Sequence, residues 1–121
     1  MSASNPLDLP TPPACVADFC LIPIGTPTVS VSKEVAEVQR LLKASGLKYS
    51  MHSAGTTLEG SWDEVMKTIG QAHSMLHGNG VVRIQSDIRV GSRIDKKQSF
   101  TDKVAAVEAL LAADEKGDKA A

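Results

Sequence analysis

At 121 residues, 42% of them hydrophobic, the chain suits one domain with its own core, small enough that burial against further copies would add stability. A formal charge of −1, a pI near 6.3 and an aromatic set limited to Phe19, Tyr49, Trp62 and Phe100 exclude an electrostatic footprint or a stacking platform for nucleic acid. No apolar run approaches the roughly 20 residues of a membrane span, and the opening MSASNPLDLPTPPA lacks the basic and apolar regions of a signal peptide, so a soluble cytoplasmic protein with no membrane partner is expected.

Residues 1–13 hold little to bury and are expected to be disordered. The stretch ACVADFCLIPI (14–24) alternates as a strand stopped by Pro23, and GTPTVS is the loop after it. Cys15 and Cys20 stand five apart on that strand, on opposite faces and about 17 Å from each other at roughly 3.3 Å per residue, so they cannot bond. Neither belongs to a zinc-spaced pair, which leaves two half-buried thiols in a reducing compartment and no metal or cofactor.

A helix is expected from about Ser32 to Ser45, with Val35, Val38, Leu41 and Leu42 at helical spacing and Gly46 just beyond its end. LKYSMHS reads as a second strand, with Leu47, Tyr49 and Met51 on one face and Lys48, Ser50 and His52 on the other. After a turn at Ala54-Gly55, TTLEG makes a short third strand. Ser61-Trp62-Asp63-Glu64 has capping-box spacing and starts a second helix, whose stripe is Trp62, Val65, Met66, Ile69, Ala72, His73 and Leu76. GNG ends it. VVRIQSDIRVG then gives a fourth strand, and a third helix runs from about Phe100 to Ala112 with Phe100, Val104, Val107 and Leu111 inward. The tail 114–121 is expected to be disordered, leaving a single domain over 14–113.

The order β-α-β-β-α-β with an added C-terminal helix is the α+β, ferredoxin-like arrangement. Two helices would cover one face of a four-stranded antiparallel sheet. The other face would carry Asp18, Cys20, Lys48, His52, Arg83, Asp87 and Arg89, and so dense a mix of opposite charges suggests cross-strand pairs or a second sheet packed against it. Self-association through this open face is the simplest inference.

No catalytic constellation assembles from the sequence. His73 falls on the apolar stripe of the second helix and reads as a hydrogen-bonded core histidine, while His77 sits where a helix end favours a cation. His52, on the open face, has Glu59 as its one arguable partner, and no serine or cysteine occupies a nucleophile elbow. GTPTVSVSK lacks the glycine and lysine spacing of a phosphate loop. With the first and third strands expected to run parallel, Thr26, Ser30, Ser32, Glu59 and Ser61 would gather where both helices begin. Ser61 and Ser32 read there as caps. Thr26, Ser30 and Glu59 stand evenly between turn residues and a binding site.

The stretches PIGT, SVS, HSAGTTLEGSWDEVM and RIQSDIRVGSRIDKKQS resemble, in order and spacing, the thiamine-binding protein family, and most closely its fungal members. The likeness runs from about Cys15 to Leu111. It implies the ferredoxin-like fold, assembly as a homodimer and dimer of dimers, and non-catalytic binding of thiamine or its hydroxymethylpyrimidine part. Gly25-Thr26, Ser30, Ser32, Gly55-Thr56, Glu59, Arg93 and Asp95 match family positions. The expected ligand-binding set is therefore Thr26, Ser30, Ser32 and Glu59, with Ser53 and Thr56 as the alternative at the opposite edge of the sheet. Hydroxyls would meet the pyrimidine in its plane and Glu59 would face the thiazolium charge. Two other readings stay open: an oligomeric regulator sensing another metabolite, and an enzyme using His52 and Glu59.

Overall fold

The computed structural model describes the backbone of residues 5–120 and the side chains of residues 5–117. A 3-10 turn at Pro6–Asp8 precedes β1 (Cys15–Ile24), α1 (Ser32–Ser45), β2 (Lys48–His52), β3 (Gly55–Gly60), α2 (Trp62–Gly78), β4 (Arg83–Gly91) and α3 (Phe100–Ala120). The strands form one sheet in the order β2-β3-β1-β4, antiparallel at every pairing, which is the α+β ferredoxin-like architecture.

β1 alternates Cys15, Ala17 and Phe19 into the core with Val16, Asp18 and Cys20 toward the open face, so the two thiols lie on opposite sides and both are free. α1 contributes Val38 and Leu42, β3 contributes Leu58, and α2 contributes Val65, Ile69, Ala72 and Leu76. These side chains meet because the helical 3.6-residue and strand 2-residue periods each put one apolar set on the same side. Gly46 ends α1 in the left-handed conformation, with φ 77°, where a side chain would be strained. Ser61 caps α2 by accepting the Glu64 amide at 3.2 Å.

The expectation that β1 and β3 run parallel is corrected. Cys15 lies opposite Gly60 and Phe19 opposite Thr56, an antiparallel register. The crossover through α1 returns β2 in the direction of β1, and the tight turn after His52 then reverses β3. The end of β1 and the start of α1 therefore sit beside the β2–β3 turn. The end of β3 and the start of α2 lie at the far edge, beside the start of β1.

Two residues ahead of β1 meet α2: Pro12 accepts the Trp62 amide at 3.1 Å, and the Thr11 hydroxyl donates to Asp63 at 2.9 Å. The first amides of α2 have no partner within the helix, and a proline-stiffened segment loses little entropy in supplying one. Residues 1–4 lie outside the described residues. At the other end α3 continues to Ala120 instead of stopping near Ala112, through a stretch rich in the helix formers Ala, Glu and Lys; residue 121 is outside the description. Its apolar residues do not point into the core: Val104, Val107 and Leu111 are 57%, 52% and 58% exposed, and only Phe100 is partly covered.

Gly55 opens β3 against β1. A Cβ there would lie 2.6 Å from the Phe19 carbonyl oxygen and 3.2 Å from its carbon. Both are backbone atoms, so β1 itself would have to move. Gly55→Ala is expected to lower stability by about 1–3 kcal/mol, the range for forcing extra bulk into a packed contact, measured by urea denaturation.

Candidate functional site

Where β1 ends, α1 begins and the β2–β3 turn closes, the chain encloses a mostly apolar cavity of about 200 Å³. Phe19 to Leu21 and Pro23 form its floor, Val31, Glu34, Val35, Val38 and Gln39 of the α1 side form one wall, and Met51 to Thr56 form the other. Thr56 is buried, and its hydroxyl accepts from the Gln39 side-chain amide at 3.0 Å, tying the two walls together. Ser53 lines the turn. Glu34 brings the one carboxylate, and its Oε2 is shut off from solvent without a hydrogen-bond partner among the described residues. Among the described residues no lysine or arginine lines the cavity.

Of the six residues expected to bind ligand, Ser53 and Thr56 lie in this cavity. Thr26 and Ser30 lie on the approach to α1 and Ser32 is its first residue, and their hydroxyls are used locally: Thr26 Oγ1 donates to the Thr28 carbonyl at 2.9 Å, Thr28 Oγ1 to that of Ser30 at 2.8 Å, and the Ser30 and Ser32 hydroxyls are 3.1 Å apart. Ser32 is not a cap; Val31 occupies that position and α1 begins with no side-chain cap. Glu59 is at the opposite edge.

At that far edge Glu59 is already engaged. It sits across from Lys48 in the β2–β3 register, with the Lys48 ammonium 3.7 Å from its Oε1, and it accepts a hydrogen bond from the Ser99 hydroxyl. Lys48 also donates to Ser99 at 2.6 Å and to Thr101, and lies 5.2 Å from the centre of the Phe100 ring. The group fastens the start of α3 to the sheet. Nearby, Arg93 holds Asp95 and donates to Gln98 at 2.6 Å, and the guanidinium keeps the Asp95 carboxyl down at about 2. These two family-matching positions order a loop.

The histidines divide as follows. His73 bonds Ser86 of β4 at 2.6 Å, and burial, reinforced by His77, lowers its pKa. His77 Nδ1 lies 2.7 Å from the Val81 carbonyl. His52 Nε2 is 2.9 Å from Asp18 on the open face, while Glu59 stands at the other end of the hairpin, so a His52–Glu59 pair does not form. Burial raises the pKa of the Cys15 thiol. Among the described residues no group of three or more His, Cys, Asp or Glu side chains converges on a metal position, and no helix is long and apolar enough to cross a membrane.

The family profile for thiamine-binding proteins matches residues 17–108, which span the sheet, α1, α2 and every cavity wall. The chain belongs to the thiamine-binding protein family. Its relatives in that family include the UPF0045 protein ECM15 of Eremothecium gossypii, 48% identical over 96 residues that make up 79% of this chain and 91% of that one. A UPF0045 protein of Synechocystis is 42% identical over 79% of this chain and 78% of its own. Among solved structures the chain is similar to the MJ1052 protein of Methanocaldococcus jannaschii, with TM-score 0.72 and 34% identity over 79% of this chain and 97% of that one. It shares its fold with a structure from Thermotoga maritima described as a candidate thiamine biosynthesis/salvage protein, with TM-score 0.66, 16% identity and coverage of 78% and 99%.

The residues that sequence reasoning missed are those of α1. Glu34, Val35, Val38 and Gln39 recur at three- and four-residue spacing, which places them on one helix face. A carboxylate and an amide beside that apolar stripe, in the first turns of a helix, carry the signal.

Proposed function

We propose that this protein binds thiamine or its hydroxymethylpyrimidine part without turning it over, as a cytoplasmic carrier or sensor. The observation that carries this reading is the apolar cavity between β1, α1 and the β2–β3 turn, which lies wholly within the segment matched by the thiamine-binding family. Its size suits one ring more than a drug-sized ligand, for which pockets of roughly 300–1,000 Å³ are usual. Apolar walls would sandwich the ring, and the edge polar groups of Glu34 and Ser53 offer partners to its nitrogens and hydroxymethyl group. The description of the Thermotoga maritima fold relative points the same way.

Isothermal titration with thiamine, thiamine phosphates and free hydroxymethylpyrimidine tests the reading. Saturable heat with at least one of them, and no product on chromatography of the mixture, is expected. Silence with all of them favours a regulator of another metabolite, and turnover favours an enzyme.

We also propose self-association, as a homodimer and dimer of dimers. The α3 stripe is half or more exposed, as are Met51 of β2 and, to a lesser degree, Ile22, Ile24 and Ile88 on the sheet. These residues offer apolar surface that a second copy could cover. Arg89 stands directly opposite Asp18 on the open face. Sedimentation at micromolar concentration is expected to give a species larger than the 12.8 kDa chain; a monomer contradicts it.

A further inference from the structure

The Glu34 carboxylate poses a chemical problem that the protein itself leaves unsolved. Its Oε2 is buried and unpartnered beside a cavity whose other lining groups are largely apolar. A buried anion without a donor is costly, and the usual resolution is an N–H or cation supplied from somewhere. Among the described residues no lysine or arginine lines the cavity to supply it, and His52, which also lines it, is engaged by Asp18 at 2.9 Å. An N–H carried by the ligand would supply that donor. Conversely, a phosphate brought into the same space would meet a carboxylate and no cationic side chain.

We propose that Glu34 selects the ligand of this cavity: a single, unphosphorylated heteroaromatic ring carrying an amino group next to a basic ring nitrogen, with an N–H of that edge donating to Oε2. This deepens the reading above and rests on it for the location of the site. An amino group beside a ring nitrogen that accepts a proton behaves as an amidinium, which gives a carboxylate both charge and direction. The cavity of about 200 Å³ holds one such ring between Phe19 and the Val35 side of α1. The aminopyrimidine half of thiamine has this edge; a phosphate ester of the same ring adds charge of the wrong sign.

Titration calorimetry of the full chain with four probes tests this: 4-amino-5-hydroxymethyl-2-methylpyrimidine, its phosphate monoester, the same pyrimidine lacking the amino group, and 2-aminopyridine. The amino-bearing alcohol is expected to bind most tightly, with the phosphate and the deaminated ring each about 10- to 100-fold weaker, the range for one charge-assisted hydrogen bond. Glu34→Gln is expected to weaken the amino-bearing probe by a similar factor and to leave the deaminated one unchanged. The probe series on the unaltered protein carries the test even if that variant misfolds. Equal binding of the amino-bearing and deaminated rings, or a phosphate ester that binds more tightly than its alcohol, overturns the assignment while leaving pyrimidine binding intact. Glu34-dependent binding of 2-aminopyridine, with no binding of any pyrimidine, upholds the assignment and overturns the thiamine reading. Silence with every probe overturns both.

Discussion

Leu58→Ala is expected to cost about 2–5 kcal/mol, the range for deleting a fully buried leucine side chain. Leu58 is 0% exposed at the middle of β3, with Ala17 of β1 and Tyr49 of β2 beside it in the sheet register and both helices above. Ala17 offers no bulk to fill the gap and the neighbouring strands are fixed by their ladders, so the hole stays open. Small domains have about 5–15 kcal/mol in total, so the variant should unfold at a markedly lower denaturant concentration with an unchanged slope. Val107→Ala supplies the contrast. At 52% exposure on α3 it should change a monomer by less than about 0.5 kcal/mol. A larger loss that grows with protein concentration would place α3 in an interface between copies.

The second large effect concerns binding. Val35 lines the cavity from the first turns of α1. Val35→Trp puts an indole into a space of about 200 Å³ and should reduce affinity for thiamine or hydroxymethylpyrimidine on the order of 100-fold, equivalent to about 2.7 kcal/mol, while the fold persists. Glu59→Gln should leave that affinity within about twofold, because Glu59 is occupied by Lys48 and Ser99 at the far edge of the sheet. Its effect should fall on α3 instead, as a loss of under about 1 kcal/mol, the scale of a solvated ion pair. Calorimetry and urea denaturation of the two variants side by side separate these outcomes. A silent Val35→Trp together with a weakened Glu59→Gln moves the site to the other end.

Much of the fold was legible because local signals agreed with one another. Alternation in Cys15–Ile24, the Ser61–Glu64 cap and Gly46 after the α1 stripe each mark a boundary that the structure keeps. Relations between distant elements were less legible. Strand direction follows from how many times the chain reverses, and taking β1 and β3 as parallel set Glu59 beside the start of α1, where the antiparallel register does not put it. Thr26, Ser30 and Ser32 carry the residue types of a site, yet Thr26 spends its hydroxyl on the Thr28 carbonyl and Ser30 and Ser32 pair with each other. Glu34 is a first-turn acidic residue of α1 that nothing along the chain sets apart; its buried oxygen shows only where α1, β1 and the β2–β3 turn line one cavity. The docking of residues 11 and 12 on α2 likewise depends on amides that no local pattern exposes.

The amide spectrum of isotopically labelled protein during a titration with hydroxymethylpyrimidine locates the ligand. Shifts are expected at Leu21, Glu34, Val35, Gln39 and the turn from His52 to Thr56, with Glu59, Arg93 and Ser99 still. Shifts centred on Glu59, Arg93 and Ser99, with the α1 wall unmoved, would contradict that expectation.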